Sequence, residues 1–274
     1  MTGARSGDYH VHSRFSDGAD ELDAYCERAL ESGLSELGFA EHLTPAALAD
    51  EGCCSARRLE EYGAAVRACA ARHPELRVLC GIEADYVPES AAETLAALAA
   101  HPFDYVLCAV HFVDGFSIDE ARFLRAAGWQ DVDRVWRRYY ETLTEAVRSG
   151  AFDAVAHLDL PKKWDLHPSE EMGHLEDDAL AAIAAAGMAI EVNTSGLARH
   201  PVGEIYPSHN LLRRAGAANI AIVLGSDAHC AADVGARFAE AEAWARAAGY
   251  ESWLRLSDRS PQPFPRTASG EPLG

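Results

Sequence analysis

Apolar positions change their period repeatedly along the chain. Short, nearly continuous apolar runs lie at 8–13, 34–41, 77–86, 103–111, 152–159, 188–195 and 220–228. They have the length and the Val/Ile/Leu content of buried parallel strands. Between them, at 19–33, 56–73, 89–100, 131–149, 175–187, 208–216 and 233–248, apolar residues recur at helical spacing. Turn chemistry marks several boundaries. Asp17-Gly18, Ser55 and Ser208 stand before helical runs, and Gly33, Gly187 and Gly216 stand where helices should end. Seven β–α units predict an α/β chain folded as a distorted (β/α)7 barrel, one strand short of the usual eight. An open doubly wound sheet is the alternative, but it would not bring all seven strand ends together.

The alternation continues to about residue 257, so one domain is expected over 1–257. Residues 258–274 are polar, carry four prolines and read as a loose tail. Segment 112–130 is long and aromatic (Phe112, Phe116, Phe123, Trp129) and reads as a lid or substrate wall over the strand ends. A hydrophobic content of 49% is enough for a large core. No apolar run approaches the roughly 18 residues of a membrane span, and residues 1–8 lack the apolar run of a secretory signal. The seven cysteines are scattered. Cys80 and Cys108 read as small buried residues, and the adjacent loop residues Cys53 and Cys54 as an incidental surface pair, with metal binding the alternative. A reduced, cytoplasmic protein with no membrane partner is expected. The net charge of −19 argues against a nucleic-acid polymer as partner.

Each strand-like run closes on a metal-ligand residue type. In order these are His10 and His12, His42, Glu83, His111, His157, Glu191, then Asp227 and His229, with Asp17 just past the first run. A parallel barrel carries the C-terminal ends of its strands to one face, where such side chains converge. Singly, each has a bland reading: a core histidine, a helix N-cap for Asp17, a solvated loop residue. Jointly, His10, His12, Asp17, His42, Glu83, His111, His157, Asp227 and His229 at the same ends of successive strands point to a multi-metal site. Period two puts His10 and His12 on one side of their strand. A carboxylate inside an apolar run, as at Glu83, requires a metal or a basic partner. The other six histidines (73, 101, 167, 174, 200 and 209) precede prolines or lie in loops and near helix starts.

The chain has only two lysines, Lys162 and Lys163, adjacent and just beyond His157. They are a phosphate clamp or, on the bland reading, a solvated loop pair. Asn193 and Ser195 are candidates for binding phosphate or a substrate hydroxyl. Glu191 is a candidate for an amine or for holding a ligand in place. Asp114 and Asp119, on the lid segment, suit a cationic substrate group.

The order His-x-His, Asp, Glu-His, Glu, His, His, Asp-x-His, running from His10 to about Ala248, resembles the PHP (polymerase and histidinol phosphatase) superfamily. The runs Gly38–His42, Val110–Gly115, His157–Lys163 and Glu191–Leu197 look like its histidinol-phosphate phosphatase branch. The resemblance implies three divalent metal ions, with Zn, Fe and Mn all compatible with the mixed N/O ligands. It implies His10, His12, Glu83 and Asp227 around the first, Glu83, His111 and His157 around the second, and Asp17, His42 and His229 around the third. Many relatives have histidine where this chain has Asp17, which bears on metal identity more than on occupancy. The implied activity is hydrolysis of a small phosphate monoester, foremost L-histidinol phosphate in histidine biosynthesis, by a hydroxide bridging metals. Glu83, Asp227 and His229 are then the catalytic group. Three ions, less three carboxylates and a hydroxide, leave a local charge of about +2 inside a strongly acidic protein, so an anionic substrate is admissible. Three alternatives stand beside this. One is a PHP phosphoesterase acting on nucleotides or other small phosphate esters. Another is an amidohydrolase-type deacylase, which often needs a carboxylated lysine at a mid-barrel strand end. The third is a non-enzymatic metal-binding protein, which needs no substrate wall. The oligomeric state is open.

Overall fold

The parallel strands close on themselves, and the closure is what builds the site. A computed structural model describes residues 5–50, 52–55, 58–121 and 131–264. The strands are β1 (Arg5–Val11), β2 (Leu34–Leu43), β3 (Arg77–Asp85), β4 (Tyr105–Ala109), β7 (Ala154–Val155), β8 (Ala189–Asn193) and β9 (Ile222–Gly225), hydrogen-bonded in that order. A small hairpin, β5 (Phe112–Val113) and β6 (Phe116–Ser117), is inserted after β4. Helices α1 (Leu22–Glu31), α2 (Leu59–Arg72), α3 (Ala91–Ala100), α4 (Val132–Arg148), α5 (Gly173–Ala186), α6 (Gly196–Arg199), α7 (His209–Ala217) and α8 (Phe238–Ala247) lie between or after the strands. All seven expected β–α units are present. Interior strand residues are buried on both faces, as apolar runs require when helices cover the outside.

β1 and β9 meet through a parallel bridge between Val11 and Ala228, with His12 N donating to Ala228 O at 2.9 Å and Ala228 N to His10 O at 3.2 Å. Asp8 seals the same seam. Its buried carboxylate accepts from Ser226 N at 3.0 Å, Ser226 Oγ at 2.5 Å and Gly235 N at 2.9 Å. Burial pushes this carboxyl up to about 6, and those hydrogen bonds limit the rise. Across β1 to β3 lies the Tyr105 ring, its hydroxyl donating to Tyr9 O at 2.7 Å and Phe39 O at 3.2 Å. Gly38 and Gly81 face that ring, and a Cβ at either would overlap it.

One expectation changes here, and one is met only in part by described residues. The predicted tail from residue 258 is ordered as far as Phe264. β10 (Ser252–Arg255) and β11 (Ser260–Pro263) form an antiparallel hairpin. Trp253, Leu256 and Phe264 are buried by it, and Leu256 N donates to Tyr9 Oη at 3.2 Å. Pro261 and Pro263 sit at alternate positions of the outer strand, where missing donors are tolerated. Residues 265–274 lie outside the described residues. The candidate lid begins as the β5–β6 hairpin, and Trp164 Nε1 holds the chain after it by donating to Ile118 O at 2.8 Å. Residues 122–130, with Phe123 and Trp129, lie outside the described residues.

Candidate metal centre and active site

Glu83 is the hub. β2 and β3 pair with His42 opposite Glu83, so strand register alone brings those two together. Glu83 Oε2 lies 2.9 Å from His42 Nδ1, 3.3 Å from His10 Nε2 and 3.7 Å from His12 Nε2. Glu83 Oε1 lies 2.9 Å from His157 Nε2 and 3.5 Å from His111 Nε2. Burial alone would raise this carboxyl; His10, His111 and His42 hold it well below the usual carboxylate range.

His10 and Glu83 stand within strands, whereas His111, His157, Asp227 and His229 come from the loops just past β4, β7 and β9. His157 and Asp227 adopt positive φ, 26° and 54°. Such backbone costs about 1–3 kcal/mol at a non-glycine residue and turns their side chains to the centre at the expense of local stability. Asp17 joins from the β1–α1 loop, its Oδ2 3.0 Å from His229 Nε2 and its Oδ1 3.7 Å from His42 Nε2. Glu41 fixes that loop: its buried carboxylate accepts from Ser13 N, from Ser13 Oγ at 2.5 Å and from Ser16 Oγ. Asp227 Oδ1 is 3.5 Å from His12 Nε2. All nine predicted ligands therefore meet in one place.

The donor set fits divalent metal. His10 Nε2, both ring nitrogens of His12, His157 Nδ1 and Glu83 Oε2 are buried without a hydrogen bond. Orphaned buried donors and acceptors are costly unless something coordinates them. Ligand atoms cluster in three overlapping groups: His12, Asp17, His42 and His229; His10, His12 and Glu83; His42, Glu83 and His111. The overlap makes His12 and His42 common to two groups, which the one-ion assignment of each did not anticipate.

Behind the ligands stand carboxylates that orient them. Glu191 Oε1 is 2.7 Å from His10 Nδ1, while its Oε2 accepts from His157 N at 3.0 Å and from Asn193 Nδ2 at 3.0 Å. Gly225 lets the Glu191 carboxylate pass, since a Cβ there would collide with it. Asp85 plays the same part for His111, with Oδ1 2.9 Å from Nδ1, and is steadied by Thr44 Oγ1 at 2.5 Å. A carboxylate behind a ligating imidazole fixes its ring and raises its basicity. Although burial works against the charged imidazole, Asp85 and Glu83 raise His111 to about 9.

Several expected substrate contacts are elsewhere. Glu191 is buried behind His10, in the second of its two expected roles, holding that ligand in place rather than meeting an amine. Asn193 Oδ1 is taken by Ser195 N at 2.9 Å and Ser195 Oγ at 2.7 Å, and both residues are buried away from the cavity. Lys162 is 2% exposed; its Nζ donates to Ile205 O at 2.8 Å and meets Asp159 Oδ2 at 3.1 Å. It is neither clamp nor solvated loop. Asp114 turns outward to Arg134 at 2.8 Å and Arg138 at 3.2 Å. Cys54 is buried, not a surface residue.

Two expected residues do reach the site. Lys163 Nζ pairs with Asp119, and both line the metal-facing cavity of about 240 Å³ with Glu83, His157 and Asp227. Burial works against the Asp119 charge, but Lys163 and His111 hold its carboxyl down at about 2. Two further wall residues were not anticipated. Arg199 Nη1 lies 3.0 Å from His229 Nδ1, and Nη2 donates to Asp227 O. His200, grouped above with histidines away from strand ends, lines the same cavity, its Nδ1 2.9 Å from Tyr206 Oη. Burial, then Lys163, depress it to about 4, so it is neutral at pH 7. A larger chamber of about 510 Å³ adjoins, sharing Asp17, His42, His111 and Asp119 and adding Asp50, Asp85, Glu120 and Phe112.

A barrel with histidine and carboxylate ligands converging at its strand ends defines a metal-dependent hydrolase of the PHP type. The chain belongs to the PHP family: the PHP domain matches residues 8–195. It is 36% identical over 85% of its length to a Deinococcus radiodurans protein named "Probable histidinol-phosphatase", covering 90% of that protein. It is 31% identical to the histidinol-phosphatase of Bacillus subtilis, with 83% of this chain and 95% of that protein covered. The crystal structure of histidinol phosphate phosphatase from Lactococcus lactis shares the fold, with a TM-score of 0.76 at 22% identity, covering 94% of this chain and 99% of the other.

Proposed function

We propose that this chain hydrolyses L-histidinol phosphate to L-histidinol and phosphate, using divalent ions held by the nine converging ligands. The observation that carries the reading is the pairing of a ligand-rich cavity, with cations on its wall, and an adjoining acidic chamber. Relatives that bear the histidinol-phosphatase name support it, and the Lactococcus lactis protein was crystallised with zinc, L-histidinol and phosphate. Three ions are proposed, one in each of the three ligand groups, two of which share Glu83, with zinc foremost; His157 joins Glu83 and His111.

When bound, such ions supply Lewis acidity and a water ionised at neutral pH. The chain's own residues do the rest. Lys163 and Arg199 stand where phosphoryl oxygens would face them, and a charge-assisted contact from each fixes the ester. Arg199 also holds the Asp227 carbonyl and His229, so substrate binding and ligand placement share one side chain. Neutral His200 offers a hydrogen bond without charge. Asp50, Asp119 and Glu120 give the outer chamber the sign that suits an amine and an imidazole, with Phe112 as an apolar wall. A phosphate end and a cationic end thus meet opposite fields.

The test is kcat/KM for histidinol phosphate, AMP, a 3′,5′-bisphosphorylated nucleotide and p-nitrophenyl phosphate, side by side on metal-analysed protein. Histidinol phosphate should lead. A nucleotide ahead by about tenfold, equivalent to 1.4 kcal/mol, would replace the substrate and leave the metal chemistry standing.

A further inference from the structure

Away from the barrel mouth, the two helices α1 and α2 bring together a second, chemically different group of ligands. Asp23 and Cys26 are three residues apart on α1, and Cys69 and His73 are four apart at the end of α2. Both spacings put side chains on one face. Cys26 and Cys69 are buried, their Sγ atoms 3.4 Å apart. One ligand atom each from Cys26, Cys69 and His73 lies within 4.8 Å of the other two. Asp23 Oδ1 stands beside them, 2.9 Å from His73 Nε2 and 3.6 Å from Cys69 Sγ. Arg72 grips the same carboxylate through Nε at 2.8 Å and Nη2 at 2.7 Å.

We propose that Asp23, Cys26, Cys69 and His73 form a separate site for one zinc-class divalent ion that ties α1 to α2. The donor chemistry selects the metal: two sulfurs, a nitrogen and an oxygen suit a tetrahedral, borderline-soft ion. Geometry separates this from a disulfide. A tetrahedral ion with metal–sulfur bonds of about 2.3 Å sets two sulfurs roughly 3.8 Å apart. That is within a few tenths of an ångström of the observed spacing, whereas a disulfide needs about 2.05 Å. Charge balances as well. Two thiolates and Asp23 are offset by the divalent ion and Arg72, and binding releases the two thiol protons. Buried thiols alone are ordinary small apolar residues. Here an imidazole and a carboxylate come up against the same sulfurs, which apolar packing does not require.

Sulfur makes the site visible beside the catalytic centre, whose nine proposed ligands are all nitrogen and oxygen. The experiment is to produce the full-length protein with cobalt in place of zinc and record the sulfur-to-cobalt charge-transfer absorption together with metal content. The expected result is a thiolate band equivalent to one ion per chain. Cys69→Ala and His73→Ala should each lose that ion and band, with phosphate-ester turnover unchanged. Should Cys69→Ala fail to fold, Asp23→Asn, at a half-exposed carboxylate, keeps the test open: cobalt affinity at the thiolate band should fall by roughly 10–100-fold. Three results would each overturn the proposal: no band in the wild type, a band that persists in Cys69→Ala, or an unchanged affinity in Asp23→Asn. A band of undiminished intensity would place the sulfur at other cysteines of the chain. A Cys26–Cys69 disulfide in freshly purified, unreduced protein would overturn it too.

Discussion

At the scale of single residues, Glu83 concentrates the consequences. It lies within 3.7 Å of five imidazoles, so its neutral amide would under-ligate more than one ion at once. Glu83→Gln should abolish kcat/KM more fully than His42→Ala and should lower metal content further; the reverse order in both measurements would contradict the hub. The lysines make a sharper pair. Lys163→Met should cut kcat/KM by about tenfold or more, since a charge-assisted hydrogen bond contributes about 1.5–3 kcal/mol. Lys162→Met should leave turnover intact and lower unfolding free energy, because removing one partner of a buried pair costs about 3–5 kcal/mol. Kinetics and denaturant titration of the two variants separate the roles. Composition shows the pair but not which of two adjacent side chains turns inward; the 3-10 turn at Leu160–Trp164 decides that. The nine candidate ligands are legible because period-two strands end where the barrel opens. Asp85 has the same signal, two residues after Glu83 on β3, and passes unnoticed because an acidic residue at a strand edge also reads as solvated. Arg199 and His200 sit beyond β8, around a four-residue helix with no periodic pattern to place them.

At the scale of elements, apolar runs predict every barrel strand yet overstate several. β7 pairs over only Ala154–Val155, and the residues after it leave the strand to deliver His157. The C-terminal hairpin is the opposite case, being hidden by its prolines. Alternation there is weak because β10 packs beside β9 and β1, with β11 outside it, rather than entering the barrel. Its anchor is Trp253, 3% exposed, whose ring centroid lies 6.1 Å from that of Tyr9. Trp253→Ala should cost about 3–5 kcal/mol in denaturant-induced unfolding, the range for a large aromatic cut from a core. Tyr9 is next to His10, so the metal centre is braced from behind by this hairpin. Lowered stability with full metal content and unchanged kcat at low temperature is the expected pattern. A loss of metal before any loss of structure would instead make the hairpin part of the site.

At the scale of the whole molecule, a chain of net charge −19 gathers half of its twelve imidazoles around the buried carboxylates of one centre. When metal is removed, protons must supply the missing charge. Burial by itself disfavours charged imidazoles, but Glu191 and Glu83 raise His10 well above its ordinary value, and Glu83 and Asp17 do so for His42. His111 reaches about 9, whereas His12, desolvated and crowded by His42 and His229, falls to about 3. Chelated protein at pH 7 should therefore carry protons on His10, His42 and His111 but not on His12. Metal ligation requires all of these rings neutral. The sign follows: zinc binding must release protons at pH 7, its affinity must rise with pH toward about 9, and it must weaken steeply in acid. Calorimetric titration of chelated protein with zinc, in buffers of differing ionisation enthalpy, reads the release directly. More than one proton per chain is expected. If zinc is the ion bound by the folded chain, the same linkage predicts that the gain in melting temperature on adding zinc grows with pH over this range. A proton count near zero would mean that the histidines of the centre are already neutral, and its carboxylates ionised, in the metal-free protein.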